Sequence, residues 1–266
     1  MHFLLGILVT VGAFVASQAV TDATHFGGLV NPSALVLLLV GPLGVSLISH
    51  PFASWKQNLV VMVRAFRHDK QRNLVLASDE MTTIARAVRE SRWSEAEAAV
   101  ERAQSEQVKN LAPYLLGRLE LPALHEAVAS ASFRWMTEVK AADDFLQGLA
   151  RFSPAFGMIG TIMGLVELFK NMSNSQSLGP GMAMALLATL YGLILCYCVY
   201  MPLSQRIRTY LTAGAYEQRV IERSLNLITE GRTIGEVRGA VLDGAQGGGG
   251  ASSSTMPTPS EMSGRG

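Results

Sequence analysis

The sequence predicts an all-α membrane protein with four transmembrane helices, a helical cytoplasmic domain between spans 2 and 3, and a cytoplasmic C-terminal helix and tail. Three stretches of the 266-residue chain contain no Lys, Arg, Asp or Glu: residues 1–21, 23–55 and 171–205. A shorter apolar run covers residues 152–166. Because about 20 apolar residues cross the hydrocarbon core of a bilayer, these runs predict four spans.

The first two predicted spans both lie within the first 50 residues of the sequence, separated by a short turn. The first predicted helix runs from about Phe3 to Val20; no basic residue precedes it and a second span follows it, so we interpret it as a membrane helix rather than a signal peptide. Pro32 suits the first turn of the second helix, which runs from about Ser33 to Ser49. Gly41 and Pro42 inside this helix predict a kink or a close packing contact.

The composition changes after the second span. Residues 52–150 hold 13 Lys and Arg and 13 Asp and Glu, and they are rich in helix-forming residues. The C-terminal end is mostly Gly, Ser, Thr and Pro, which is typical of disordered chains. The predicted organisation is therefore spans 1 and 2 in residues 1–50, a cytoplasmic helical domain in 51–150, spans 3 and 4 in 151–203, a cytoplasmic helical segment in 204–243 that stops near Gly231, and a disordered tail in 244–266.

The basic residues predict the orientation in the membrane. Of the 22 Lys and Arg residues, all but Lys170 fall in residues 52–151 or after Pro202, and the predicted outer turns contain none. Basic residues collect on the cytoplasmic side of membrane proteins. We therefore expect a multi-pass protein of the bacterial inner membrane with both termini in the cytoplasm.

Small residues recur at spacings of three and four on the third and fourth spans. Such stripes let membrane helices approach closely. The candidate packing residues are Gly157, Gly160 and Gly164 on span 3 and Gly181 and Gly192 on span 4. Each stripe also carries one threonine, Thr161 or Thr189, whose hydroxyl could satisfy a backbone group, face water or face an ion.

The sequence offers little to support an enzyme. We find no nucleophile–base arrangement, no phosphate-binding loop and no metal-ligand spacing, so no catalytic residue, metal site or cofactor is predicted. Cys196 and Cys198 are two apart in the last span, which disfavours a disulfide between them, and we interpret both as small apolar residues.

Three segments carry a resemblance to a known family. PAFGMIGTIMGLVELF, LGPGMAMALLATLYGL and MPLSQRI, which begin at Pro154, Leu178 and Met201, resemble the MotA/PomA family of flagellar stator subunits. The likeness extends to about Asp243 and is loosest in the cytoplasmic loop. The related ExbB and TolQ proteins have three spans, and two spans before the loop favour the MotA type.

The resemblance implies an ion-conducting stator subunit that couples H⁺ or Na⁺ flow to torque. It implies a homopentamer around two copies of a single-span MotB/PomB-like partner, and a rotor partner, FliG. By match to the family, Pro154, Thr161, Thr189 and Pro202 belong to the ion pathway, and the threonines face an aspartate of the partner. The chain itself has no ionisable residue in the middle of a span, which agrees with a carboxylate supplied by the partner.

Each of these roles has a structural alternative. Pro154 also suits the first turn of a span that begins there. Thr161 and Thr189 also suit packing residues that bond to a carbonyl one turn back.

The loop segment ARAVRESRWSEAEAAVE loosely resembles the motif whose charges contact FliG. The match assigns that contact to Arg89 and Glu97. The glycine and leucines usual between them are replaced here, Arg86 and Arg92 compete for the role, and a solvated helix face is the alternative.

Two other functions stay open from the sequence. One is a non-flagellar energiser of the ExbB/TolQ type that drives gliding or outer-membrane transport. The other is a non-conducting membrane scaffold. The partner protein distinguishes the first from a stator, and ion dependence at the two threonines distinguishes the second.

Overall fold

The computed structural model describes residues 31–117, 120–170, 178–237 and 239, and the regular secondary structure within these ranges is helical. The predicted first span and the predicted disordered tail lie outside the described residues. The helices are α1 Pro32–Ser49, α2 Phe52–Arg67, α3 Lys70–Arg89, α4 Trp93–Arg102, α5 Glu106–Leu116, α6 Leu121–Lys170, α7 Leu178–Ile194, a π-helix at Leu195–Tyr200, and α8 Met201–Thr229.

Three of these helices are long and apolar enough to cross a membrane. They are α1, α6 and the continuous helical stretch Gly181–Thr229, and they correspond to predicted spans two, three and four. Span three is not a separate helix that starts near residue 152, because α6 begins at Leu121 and continues to Lys170 without a break. The interpretation of Pro154 as a first-turn proline is therefore wrong, since Pro154 lies deep inside a helix.

The chain divides into two compact units. The membrane unit combines the described residues up to Arg67 with Thr137–Leu211, and the helical unit combines His68–Met136 with the described residues from Thr212 onward. This division reflects which residues contact each other. The predicted boundaries at 50, 150 and 203 mark where the chain enters or leaves the membrane, and they stay a prediction.

In the membrane unit, α1 is placed by its cap and by α7. The Asn31 side chain accepts a hydrogen bond from the Ala34 amide at 3.2 Å, as an N-cap residue does, and Pro32 follows in the first turn as predicted. Ala34 and Leu38 are fully buried against Met184 and Ala188 of α7. Gly41 lies directly against the Phe156 ring of α6, which confirms the close contact predicted for this glycine.

In the helical unit, an apolar core joins five helices. The core takes residues from α3, α4, α5, the first part of α6 and the last part of α8. Its fully or almost fully buried members include Met81, Ile84, Val108, Leu111, Leu124, Val128, Ile221 and Leu225. α8 then ends at Thr229, and Gly231 takes the left-handed conformation (φ +71°), so the predicted stop is confirmed.

A buried polar cluster lies beside this core. The Ser105 hydroxyl donates to Oε1 of Glu217 at 2.7 Å, and the Gln218 amide donates to Gln107 at 2.7 Å. Glu217 is 2% exposed. The pKa of Glu217 is raised to about 7, first by burial and also by the nearby carboxylates of Glu106 and Glu80, although the hydrogen bond from Ser105 lowers it. Glu217 therefore titrates near neutral pH.

Candidate functional site

The candidate site is the interface between α6 and the α7–π–α8 stretch in the membrane unit. Glycines bring the two backbones together there. A Cβ atom added at Gly164 would lie 2.7 Å from both the Ala185 nitrogen and the Gly181 carbonyl oxygen. A Cβ atom at Gly181 would lie 3.0 Å from the Gly164 oxygen. No larger residue fits at this crossing, because the neighbouring atoms are backbone and cannot turn away.

The same contact continues along both helices. A Cβ atom at Gly157 would lie 3.1 Å from the Ala188 oxygen and 3.3 Å from the Thr189 Cα. Gly160 lies directly against Ala188. A Cβ atom at Gly192 would lie 2.8 Å from the Ser153 oxygen. The five glycines of the two predicted stripes therefore line one interface, from Gly164 and Gly181 at one end to Gly192 at the other.

Pro154 stands at the Gly192 end of this interface. A proline inside a helix has no N–H, so the carbonyl of Ala150, four residues back, loses its helical donor. Pro154 is half-buried, and its neighbour Ser153 is fully buried with its hydroxyl donating to the Leu149 carbonyl at 2.9 Å. The proline thus leaves a polar backbone oxygen at the start of the apolar part of α6.

The two threonines lie along the same pair of helices. Thr189 is beside Gly157, and Thr161 is one turn beyond Gly157 on α6. The Thr161 hydroxyl donates to the Met158 carbonyl at 2.6 Å, and the Thr189 hydroxyl donates to the Ala185 carbonyl at 3.5 Å. Both hydroxyl protons therefore point into their own helices, and the oxygen lone pairs remain available as acceptors or cation ligands.

A π-helix interrupts the fourth span just before Pro202. The Met201 amide donates to the Cys196 carbonyl, five residues back, instead of to Tyr197. Pro202, the next residue, has no N–H to offer to either Tyr197 or Cys198. Like Pro154, this segment exposes backbone oxygen in a span. Cys196 is buried and Cys198 is half-buried, and both are free thiols.

A carboxylate that sequence reasoning missed ties α6 to α8 next to Pro202. Asp143 is 7% exposed and accepts hydrogen bonds from Arg208 Nε at 2.9 Å and from Gln147 at 2.7 Å. The Ser204 hydroxyl also donates to it. A pair of aspartates at 143 and 144, close before the span, was the available signal, but only the fold brings Ser204 and Arg208 to it.

The two predicted rotor-contact residues lie in the helical unit, and both are exposed. Arg89 ends α3, with its Nη1 3.5 Å from the Arg232 carbonyl, and Glu97 is on α4. The competing Arg92 is engaged locally, since it forms ion pairs with Glu90 and, at 2.7 Å, with Glu95.

A turn and a groove lie between α3 and α4, the two helices that carry Arg89 and Glu97. Ser91 holds the turn in the left-handed conformation (φ 57°), a conformation that favours glycine. The two helices also form a groove of about 550 Å³, whose charged lining residues are Asp79, Glu80, Glu95 and Arg102. The surface is therefore of mixed charge.

Comparisons with known proteins point to one family. The model of the MotA/TolQ/ExbB proton channel family matches residues 95–217. Motility protein A of Aquifex aeolicus is 40% identical over 82 residues, 31% of each chain, and the chemotaxis protein PomA of Vibrio alginolyticus is 39% identical over 80 residues, 30% of this chain and 32% of PomA. The chain is thus similar to the MotA/PomA family.

A longer alignment, to another motility protein, is less similar in sequence. Motility protein A of Bacillus subtilis is 24% identical over 219 residues, 77% of this chain and 76% of that protein. The more similar Aquifex and Vibrio alignments span only about a third of each relative's length.

Solved MotAB structures share the fold of this chain. The structure of C. jejuni MotAB has a TM-score of 0.76 at 15% identity and covers 97% of both chains. The flagellar MotAB stator complex of Bacillus subtilis has a TM-score of 0.73 at 20% identity, with 90% of this chain and 93% of that chain covered. At these identities, the likeness is one of fold.

Proposed function

We propose that this chain is the ion-conducting stator subunit of a bacterial flagellar motor, which couples H⁺ or Na⁺ flow to torque on the rotor. The observation that carries the proposal is the packed α6–α7 interface, where Pro154, Thr161 and Thr189 lie on two tightly packed apolar helices and Pro202 follows the π-helix. Backbone and hydroxyl oxygens are ligands suited to a hard cation or to a chain of ordered waters.

The ion pathway requires a partner. In the described spans, the apolar stretches 32–49, 152–166 and 178–205 contain no charged residue. Conduction across a membrane normally uses an ionisable group at depth. We propose that a single-span MotB/PomB-like subunit supplies this carboxylate and that copies of the present chain, most simply five, surround two copies of the partner.

Torque would be delivered through charges in the cytoplasm. With both termini and the helical unit on the cytoplasmic side, the exposed Arg89 and Glu97 are placed on the α3–α4 face of that unit, where a charged rotor protein such as FliG can bind. The mixed charge of this face suits a partner that presents both signs.

A second candidate function is supported by the family comparison. The matching family model also describes TolQ and ExbB proteins, which makes a non-flagellar energiser the second candidate. The two are separated by the partner: a peptidoglycan-binding single-span protein indicates a stator, and a protein that couples to outer-membrane transport indicates an energiser.

The deciding experiment is swimming speed in a strain that lacks its own stator, complemented with this chain and the single-span protein encoded beside it. Sodium concentration and the proton gradient are varied independently. Speed that follows one ion supports the stator and identifies the ion. A stable membrane complex without motility at any ion setting would contradict the stator proposal.

A further inference from the structure

The α6 face that carries the proposed ion pathway continues beyond the apolar part of the helix. Its residues follow one another at spacings of three and four: Asp143, Gln147, Ala150, Pro154, Gly157 and Thr161. With 3.6 residues per turn, these positions lie within about 80° of each other around the helix axis. The face meets the α7–π–α8 stretch at both ends, since Gly157 lies beside Thr189 and Asp143 accepts from Ser204. Asp143 is the one ionisable residue among the six.

Asp143 is a buried carboxylate that neutral groups of two helices hold in place. It lies about 16 Å along the helix from Pro154 and is 7% exposed. The Ser204 hydroxyl of α8, itself 1% exposed, donates to one carboxylate oxygen, and the Gln147 amide donates to the other at 2.7 Å. Replacing a buried ion pair by apolar residues is often neutral or stabilising, so stability alone does not account for a charge here. An ionisable residue buried at the edge of a span indicates a functional role.

The cation bonded to Asp143 can be exchanged. Arg208 donates to the carboxylate through Nε at 2.9 Å, but its side chain is 46% exposed, whereas that of Asp143 is 10% exposed. The guanidinium can therefore withdraw into water while the carboxylate stays buried. Ser204 and Gln147 still hold the carboxylate in that state, so only the ion pair itself has to break.

The neighbouring charged residues are exposed or bonded to other groups. Asp144 is exposed. Glu138, five residues before Asp143 on α6, accepts from a glutamine of α2, and Arg206 on α8 donates to a backbone carbonyl of α2 at 3.5 Å. Arg208 is therefore the cation that neutralises Asp143 in this structure.

Withdrawal of Arg208 would leave several oxygen atoms at this position. The hydroxyl oxygen of Ser204 keeps its lone pairs, and the amide of Gln147 can turn to present its oxygen. Carboxylate, hydroxyl and amide oxygens suit a small hard cation, and a carboxylate also accepts a proton. The Ala150 carbonyl, which Pro154 leaves without a helical donor, lies about 10 Å further along the same face. Polar oxygen thus extends from the span to the buried carboxylate.

We propose that Asp143 is the residue from which the transported cation leaves the pathway for the cytoplasm, and that Arg208 covers its carboxylate between passages. This role rests on the proposed function and on the cytoplasmic position proposed for this end of α6. The carboxylate pairs with one positive charge at a time, either the guanidinium or the transported H⁺ or Na⁺, so its charge stays balanced at each step. Arg208 speeds release because it competes with the ion for the carboxylate.

Swimming speed at a controlled internal ion concentration tests this role. The chain and its single-span neighbour are expressed in a strain that lacks its own stator, and the coupling ion is identified with the parent chain. The cytoplasmic concentration of that ion is then raised with a permeant weak acid for H⁺ or a sodium ionophore for Na⁺, and followed with a fluorescent indicator. The speed of each variant is expressed relative to its own maximum and compared at equal internal concentration, so the loss of driving force is common to all variants.

The two neutralising variants should act in opposite directions. Arg208→Gln removes the competitor, so release slows and half-maximal speed should occur at a severalfold lower internal concentration than in the parent. Asp143→Asn keeps an oxygen for Ser204 but carries no charge to pair with the ion. Its maximum speed should fall severalfold and its half-maximal internal concentration should rise. The double variant should behave as Asp143→Asn does, and Arg208→Lys, which restores a tethered cation, should behave as the parent does.

Matched controls and membrane levels separate this role from a purely structural one. Asp144→Asn and Arg219→Gln remove the same charges from exposed residues of α6 and α8 and should follow the parent. Immunoblots of membrane fractions measure the amount of each variant. If Asp143→Asn does not reach the membrane, the Arg208 variants decide alone, and a parent-like response of Arg208→Gln would overturn the role.

Further outcomes would also overturn the proposal. With a motile parent, shifts of Asp143→Asn and Arg208→Gln in the same direction, or no shift in either, would show that the two residues do not compete with the ion. A double variant as sensitive as Arg208→Gln would mean that the sensitivity does not come from the carboxylate. Loss of membrane protein in both Arg208→Gln and Arg208→Lys would leave the pair only the task of holding the helices together. A parent chain that drives no swimming at any ion setting would instead contradict the proposed function itself.

Discussion

Glu217 makes the stability of the helical unit depend on pH. Its pKa of about 7 lies above its ordinary value of 4.5, so the folded state binds this proton more tightly than the unfolded state does. The stability that the group contributes is therefore complete below about pH 4.5, falls as the pH rises to about 7, and stays low above that. The cause is burial, because in the folded protein the ionised carboxylate lacks the hydration that it has in the unfolded chain.

Replacing Glu217 by glutamine should remove this pH dependence. Glu217→Gln keeps an oxygen to accept from Ser105 and cannot ionise. We expect its thermal unfolding temperature to exceed that of the parent at pH 8 and to match it near pH 4.5, measured in detergent. Glu101→Gln makes the same charge change on an exposed side chain and should follow the parent at both values. An equal shift of Glu217→Gln at both pH values would contradict the argument.

Ser91 carries backbone strain in the turn between α3 and α4. A non-glycine residue in the left-handed conformation costs about 1–2 kcal/mol, and glycine avoids most of this cost. We expect Ser91→Gly to stabilise the protein against denaturant by about 1 kcal/mol. Ser130→Gly, on an exposed helical position of α6, should instead destabilise it, because glycine is a poor helix former. A loss of stability in Ser91→Gly would show that the turn is not held as described.

The Thr161 hydroxyl tests the proposed ion pathway at a single atom. If the hydroxyl oxygen serves the ion, Thr161→Ala should change the ion dependence of swimming more than the amount of protein in the membrane, and Thr161→Ser should restore much of the parent behaviour. Thr83→Ala removes a hydroxyl that also bonds to its own helix, at Asp79, but outside the spans, and should have no such effect. A fall in expression alone would favour packing.

At the scale of elements, the crossing of α6 and α7 depends on Gly164. A methyl group there would meet backbone atoms of Gly181 and Ala185 at 2.7 Å, so the helices must separate to admit it. We expect Gly164→Ala to lower the yield of folded membrane protein severalfold. Gly179→Ala is the control, since a Cβ atom there meets nothing within 4 Å. Equal yields of the two variants would show that α6 and α7 do not pack through this glycine. Size-exclusion chromatography after detergent extraction provides the measurement.

Features that depend on neighbouring residues in sequence were predictable. The start of α1 follows from Asn31 and Pro32, and the end of α8 follows from Gly231. The stripes of small residues identified which faces of α6 and α7 meet. These signals are local because caps, turns and helical periodicity involve residues at most a few positions apart.

Features that depend on long-range packing were not predictable. A proline suits both the first turn and a kinked interior, so the sequence around Pro154 could not show that α6 starts 33 residues earlier. The Ser105–Glu217 and Asp143–Arg208 contacts join residues far apart in the chain, and no periodicity marks them. The left-handed Ser91 was hidden because serine is an ordinary turn residue.

At the scale of the whole molecule, the proposed rotor contact gives the α3–α4 face a role in transmitting torque and no role in holding the fold together. Arg89 and Glu97 are exposed, so reversing their charge should leave folding unchanged. We expect Arg89→Glu or Glu97→Lys to reduce swimming in soft agar severalfold at an unchanged membrane level. Lys109→Glu and Glu101→Lys are exposed controls on α5 and α4. Normal motility in both test variants would contradict the assigned contact.

The π-helix in the fourth span also sets the direction in which every later side chain of the same helix points around the helix axis. A π turn holds one residue more than an α turn, so the later residues are rotated by about 100° relative to an uninterrupted α-helix. Ser204 and Arg208 reach Asp143 in this rotated setting. Deleting one residue from Leu195–Tyr200 would turn both donors away from Asp143 while leaving every contacting residue in the chain. In this span, the contacts to Asp143 therefore depend on the number of residues as well as on their identity.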